Sequence, residues 1–90
     1  MSREATSVEQ PLVEGCKALG WAAVKVGMEG LPDRLVLYAA GRHFWVETKR
    51  RDGRLTPAQK VRIPWLRARG ETVFIPASRA EVVALLRVLG

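Results

Sequence analysis

Two short runs rich in β-branched and aromatic residues, "DRLVLY" and "HFWVETK", are separated by only four residues, "AAGR". Strands this close in sequence pair as an antiparallel hairpin. "GMEGLP" before them, with two glycines and a proline, and "RRDGRL" after them are connections, so the hairpin is punctuated on both sides. Everything else in the chain has to be arranged around this unit.

The remaining elements follow from periodicity and stop signals. "SVEQPLVEGCKALG" predicts a first helix, with Ser7 and Gln10 at capping-box spacing and an apolar stripe of Leu12, Val13, Cys16 and Leu19. Pro11 is tolerated because it lies in or near the first turn, and Gly20 stops the helix. "WAAVKV" predicts a strand. "TPAQKVRIPWLRARG" predicts a helix capped by Thr56, with Pro57 at its first position, Gly70 as terminator and a kink at Pro64. "ETVFIP" predicts another strand, and "SRAEVVALLRVLG" a last helix with a Ser78–Glu81 capping box and an apolar face of Val82, Leu85, Leu86 and Leu89. The order is αβββαβα, an α/β layer structure in one domain over residues 1–90.

Composition narrows the function classes. A chain of 90 residues, 48% hydrophobic, can build one core but buries only about 60–65% of its extended surface. Oligomerisation is a natural remedy. Fifteen Lys and Arg against nine Asp and Glu give a net charge of +6, which favours an anionic partner. Cys16 is the only cysteine, so neither a disulfide framework nor a cysteine zinc site is available. No apolar run reaches signal-peptide or membrane-span length, and the expectation is a soluble, intracellular (cytoplasmic) protein that does not enter a membrane.

The hairpin places its charges in one area. Strand side chains alternate between faces, so His43, Trp45, Glu47 and Lys49 share one face and Phe44, Val46 and Thr48 the other. Folding about Ala40 sets Asp33 opposite Glu47, and a one-residue shift sets it opposite Thr48. Two carboxylates at cross-strand distance repel unless one is protonated or a cation lies between them. A hard divalent ion, Mg²⁺ or Mn²⁺, suits such a pair completed by a backbone carbonyl and waters, and it lowers the pKa of the water it carries. Lys49 on the same face would orient that water or stabilise charge on a phosphate. Taken singly, Asp33 is a turn residue after Pro32, and Glu47 with Lys49 a strand-end ion pair. Taken together in a +6 chain, the metal reading leads.

Pro32-Asp33, thirteen intervening residues, then Glu47-Thr48-Lys49 resembles the PD-(D/E)xK nuclease signature. With the flanking "GLPDRLVL", "GRHFWVETKRRDGRLTPAQ" and "LRARG", the sequence resembles the virus-type replication-repair nuclease (VRR-NUC) domain from about Val8 to Leu89. The resemblance implies a restriction-endonuclease-like core, a mixed central sheet flanked by helices. It implies a Mg²⁺- or Mn²⁺-dependent endonuclease acting on DNA, with standalone members acting as homodimers on branched DNA such as four-way (Holliday) junctions, in repair or recombination. Asp33 and Glu47 would be the metal-binding carboxylates, the Thr48 carbonyl a further ligand and Lys49 the catalytic lysine. Gln59 would sit close to the lysine and metal, Glu9 would approach from the first helix through a metal-bound water, and Lys25 would help hold DNA.

Structural roles compete for some of these. Gln59 is also the third residue of a Thr56-x-x-Gln59 capping box, and Glu9 lies where a helix start favours negative charge. Arg50, Arg51, Arg54, Lys60 and Arg62, with Arg67 and Arg69 beyond, form a basic run that beside a phosphodiester-cleaving site becomes a backbone-gripping surface. Arg34 points to the other strand face. His43 lacks ligand companions, Cys16, Trp21 and Trp45 read as packing residues, and Trp65 is a candidate for a dimer interface. A non-catalytic DNA-binding module of the same fold is the alternative function. A sequence-specific restriction-type enzyme is a third, disfavoured because 90 residues leave no room for recognition elements.

Overall fold

The fold is seen in a computed structural model, which describes residues 8–48 and 54–90. The chain runs α1 (Gln10–Leu19), β1 (Ala22–Lys25), β2 (Arg34–Leu37), β3 (His43–Val46), α2 (Pro57–Ala68), β4 (Val73–Phe74) and α3 (Arg79–Leu89), the expected αβββαβα order. The sheet order is β1-β2-β3-β4. The first three strands are antiparallel neighbours, while β4 returns through α2 to lie parallel to β3. Such a return needs a crossover of a dozen residues or so, which α2 supplies.

Helices cover both faces. Phe44, Val46 and Val36 on one face pack with Val8, Leu12 and Cys16 from α1 and its entry and with Val82 and Leu86 of α3. Trp21, Tyr38, Phe44 and Phe74 add a run of ring contacts there, with centroids 5.1 to 6.4 Å apart and tilted or edge-on. On the other face Ile63 and Leu66 of α2 pack with Val73, flanked by Leu31, Trp45, Leu55 and Ile75. Cys16 is buried as expected, and burial pushes its thiol up to about 11 while the Arg34 charge pulls the other way.

Gly20 (φ 78°) and Gly70 (φ 89°) end α1 and α2 in left-handed turns. The paired backbone bonds, Gly20 N–H to Lys17 O with Trp21 N–H to Cys16 O and Gly70 N–H to Arg67 O with Glu71 N–H to Leu66 O, close each last turn. Thr56 and Gln59 form the full capping box. At α3 the Ser78 hydroxyl accepts from the Glu81 N–H at 3.3 Å.

The structure differs from expectation at several points. Residue Glu9 precedes α1 in helical geometry with no side-chain cap, and the expected cap Ser7 lies outside the described residues. Leu19 is 45% exposed, because the stripe turns away from the core in the last turn. Helix α2 does run through Pro64 to Ala68, the extent expected. The expected strand "ETVFIP" narrows to Val73–Phe74, since only β3 lies beside it and Pro76 follows with no N–H to donate. The "AAGR" loop is a tight turn in which Ala40 (φ 57°) and Gly41 (φ 75°) are both left-handed. Among the described residues no helix is long and apolar enough to cross a membrane.

Candidate active site

The register decides which charges meet. Arg34 pairs with Val46 and Leu35 with Trp45, so the next position outward sets Asp33 opposite Glu47, the arrangement that follows from folding about Ala40. Pro32, itself fully buried, fixes the chain entering β2, and the Asp33 carbonyl accepts from the Val26 N–H at 2.8 Å, tying this residue to the β1 side as well. Glu47 lies just past β3, where its N–H donates to Phe74 O at 3.0 Å. Asp33 is thus tied toward β1 and Glu47 toward β4, at the end of the sheet where β3 finishes and β2 begins.

The side chains interlock. The Asp33 N–H donates to Glu47 Oε1 at 3.2 Å. The Thr48 N–H donates to Asp33 Oδ1 at 2.5 Å, and the Thr48 hydroxyl donates to Asp33 Oδ2. Glu47 is 1% exposed and Thr48 equally buried, while Asp33 is half-buried and is the member of the group that retains contact with solvent. The expectation assigned only the carbonyl of Thr48; its hydroxyl and N–H are the groups that orient Asp33. The alternative one-residue register had pointed at this neighbour, and a diagonal reach accomplishes the same contact.

Arg34 faces the opposite side of the sheet. Its Nη2 lies 2.9 Å from Glu9 Oε2 in an ion pair with both side chains mostly buried, and its Nη1 donates to Ala23 O at 3.0 Å. The structure therefore places Glu9 on Arg34, which fastens the start of α1 to β2 next to Asp33. Gln59 is buried in the first turn of α2, where its Oε1 accepts from the Thr56 N–H at 3.0 Å and its own N–H donates to Thr56 Oγ1 at 3.2 Å. Lys25 is exposed at the end of edge strand β1, opposite Arg34. Arg54, Lys60 and Arg62 are exposed. Lys49, Arg50 and Arg51 lie outside the described residues.

A second polar cluster, absent from the expected site, lies on the α2 face. Glu71 Oε1 accepts from the Trp45 indole at 2.7 Å and lies 2.8 Å from His43 Nε2. These two bonds, the indole's first, hold the Glu71 carboxyl below its ordinary range. Glu71 is 26 and 28 positions from its partners, a separation that no local pattern signals.

Asp33 and Glu47 can be tested as a cation site from their chemistry. Among the described residues no three His, Cys, Asp or Glu side chains are grouped to hold a metal. The pair nevertheless fits a hard divalent ion. Its donors are all oxygens, Mg²⁺ is commonly held by one or two carboxylates and keeps several waters, and a carboxylate oxygen that accepts one hydrogen bond retains a second acceptor direction.

No protein-family model and no curated protein matches the sequence. Among solved structures, one described as a VRR_NUC domain superposes with a TM-score of 0.82 at 29% identity, over 96% of this chain and 97% of that one. That near-complete overlap extends the motif resemblance to the whole architecture, from α1 through α3. The small α/β fold, with its mixed four-stranded sheet and three helices, is that of a VRR_NUC nuclease domain.

Proposed function

We propose that the chain is an intracellular, divalent-metal-dependent DNA endonuclease that hydrolyses phosphodiester bonds in branched DNA such as four-way junctions and acts as a homodimer. The observation that supports it most is the Asp33–Glu47 pair, a half-buried and a buried carboxylate interlocked at a sheet end in a fold matching a VRR_NUC domain. Asp33 and Glu47 would hold Mg²⁺ or Mn²⁺, with the Thr48 carbonyl as a further ligand and Glu9 behind Arg34. The cation supplies Lewis acidity toward a phosphate and lowers the pKa of water.

The chain's own groups do the rest. Thr48 fixes the orientation of the Asp33 carboxylate, and the backbone bond to Phe74 in β4 and the Asp33 N–H on its carboxylate fix Glu47. Lys49 is assigned the charge that builds on the phosphate. Gln59 is a positioning residue at the start of α2. Lys25, Arg50, Arg51, Arg54, Lys60 and Arg62 grip the DNA backbone without reading sequence. For self-association, the outer face of α1 and α3 carries an apolar groove of about 510 Å³ bordered by Leu19, Val83 and Leu86. Glu14 and Arg87 lie on the same groove, so a two-fold copy can set opposite charges together.

The test incubates the protein with flaps, nicked duplex, linear duplex and four-way junctions in Mg²⁺, Mn²⁺ or chelator. Junctions should be cut in either metal and not in chelator, and Glu47→Gln should lower cutting by about 10²–10³-fold without loss of folding. Cutting that persists in chelator or in Asp33→Asn would sink the metal mechanism. Equal cutting of linear duplex removes the preference for branches alone. The competing reading, a DNA-binding module without catalysis, draws on the structural bonds of Asp33 to Thr48 and of Gln59 to Thr56. It predicts binding with no cutting in any metal.

A further inference from the structure

Helix α2 turns Gln59, Ile63 and Leu66 inward, and its outer side carries an unusual assembly. Trp65 is 42% exposed, with the Arg69 guanidinium 3.8 Å and the Arg62 guanidinium 4.8 Å from its ring centroid. Arg69 also donates from Nη1 to Trp65 O at 3.1 Å. The helix contains no acidic residue. Arg67 is occupied elsewhere, donating to Val73 O at 2.7 Å.

The assembly begins beside the candidate active site. Gly30, three residues before Asp33, has φ 88°, and a Cβ built on it would lie 3.5 Å from Ala58 Cβ and 3.7 Å from Arg62 Cβ. The loop that leads into Asp33 therefore rests on the helix at Arg62. A polyanion crossing the sheet end at Asp33 and Glu47 and continuing along α2 meets Arg62 first, then Trp65 and Arg69.

Holding a guanidinium on an aromatic face leaves the N–H groups at its edge available to an anion, and it removes rotamer freedom before binding. Placing two guanidiniums on one ring also concentrates positive charge that an anion relieves. A second copy of this helix would bring basic residues against basic residues, so the charge disfavours self-association here. We propose that Arg62, Trp65 and Arg69 form a second phosphate-binding site, a clamp on the backbone of the DNA strand leading away from the cut, with Trp65 as the positioning residue that presets both arginines. The identity of the anion rests on the nuclease reading; the clamp is a separate claim about how this helix holds it.

The experiment measures binding of a fluorescein-labelled four-way junction by anisotropy, in chelator so that nothing is cut, over a series of NaCl concentrations. Trp65→Leu should weaken binding about tenfold while Trp65→Phe, which keeps a ring face, retains most of it. Arg62→Gln with Arg69→Gln should flatten the slope of log affinity against log salt by about two, and Trp65→Leu should then add little. Wild-type affinity in Trp65→Leu, or an undiminished loss from Trp65→Leu in the Arg62→Gln, Arg69→Gln background, would overturn the clamp. So would an abasic junction that binds wild type more weakly than an intact one, which would make Trp65 a base-stacking platform. Polyglutamate that binds wild type as tightly as DNA would assign the site to an acidic protein instead. Failure of wild type to bind any DNA sinks the nuclease reading itself and the clamp with it, whereas cutting by a Trp65→Leu protein of wild-type affinity sinks the clamp alone.

Discussion

Among the described residues, the sheet beneath α1 and α3 meets a cluster of eight buried apolar residues and a chain of aromatic rings, while beneath α2 the buried apolar cluster has three. Strand alternation puts Glu47 on the α2 side with Trp45, and α2 itself buries Gln59. One face therefore supplies most of the cohesion, and the other accommodates polar groups whose burial costs free energy unless they are bonded. A small domain that sets carboxylates into its sheet needs this division. The apolar face can hold the strands in register while the polar face keeps side chains where a ligand can reach them.

The largest effects should come from breaking the apolar face. Phe44 touches Trp21, Tyr38 and Phe74 and is 2% exposed, so Phe44→Ala should cost about 3–5 kcal/mol in a urea titration. Ile63→Ala, made in the smaller cluster, should cost less, about 2–3 kcal/mol. If Ile63→Ala proved the more damaging of the two, the α2 face would be the main source of cohesion and the division would be wrong.

A finer break separates structure from chemistry within the polar face. Thr56 and Gln59 share one capping box, and losing either half should cost about 1 kcal/mol. Thr56→Ala and Gln59→Ala should thus melt at similar temperatures. On the proposed function only Gln59→Ala should also cut junctions more slowly, by tenfold or so, because Gln59 is the one assigned to position the site. Equal cutting by the two variants would return Gln59 to a purely capping role.

How much of this was legible depended on how locally each feature is encoded. The hairpin register followed from strand alternation and a four-residue connection to within one residue, leaving Asp33 opposite Glu47 or Thr48, and the observed pairing of Arg34 with Val46 selects Glu47. Helix limits followed from Thr56, Ser78, Gly20 and Gly70, whose conformational preferences act within a turn or two. The left-handed Ala40 escaped because alanine carries no preference for positive φ, and hairpin closure overrides that. Arg34 was assigned to the correct face, but its bond to Glu9 spans 25 residues and depends on the azimuth at which the start of α1 meets the sheet. Lys49, on which the catalytic expectation leans, lies outside the described residues, so its place in the site rests on the motif.

The smallest expected effect concerns Glu71, which fastens the polar face at the end of β3 away from Glu47. Its carboxyl is held below the ordinary value of 4.5 by bonds from Trp45 and His43. A depressed folded-state value means that the charged form is favoured by folding. The contribution is fully present above the unfolded value and is lost as pH falls through the folded one. Glu71→Gln keeps an oxygen for the Trp45 indole and removes only the charge. The stability difference between wild type and Glu71→Gln should accordingly be measurable at pH 7 and shrink as the pH is lowered below about 4. A difference that stays constant across that range would mean that the tie works through hydrogen-bond shape alone. The polar face would then depend on charge only where Asp33 meets Glu47.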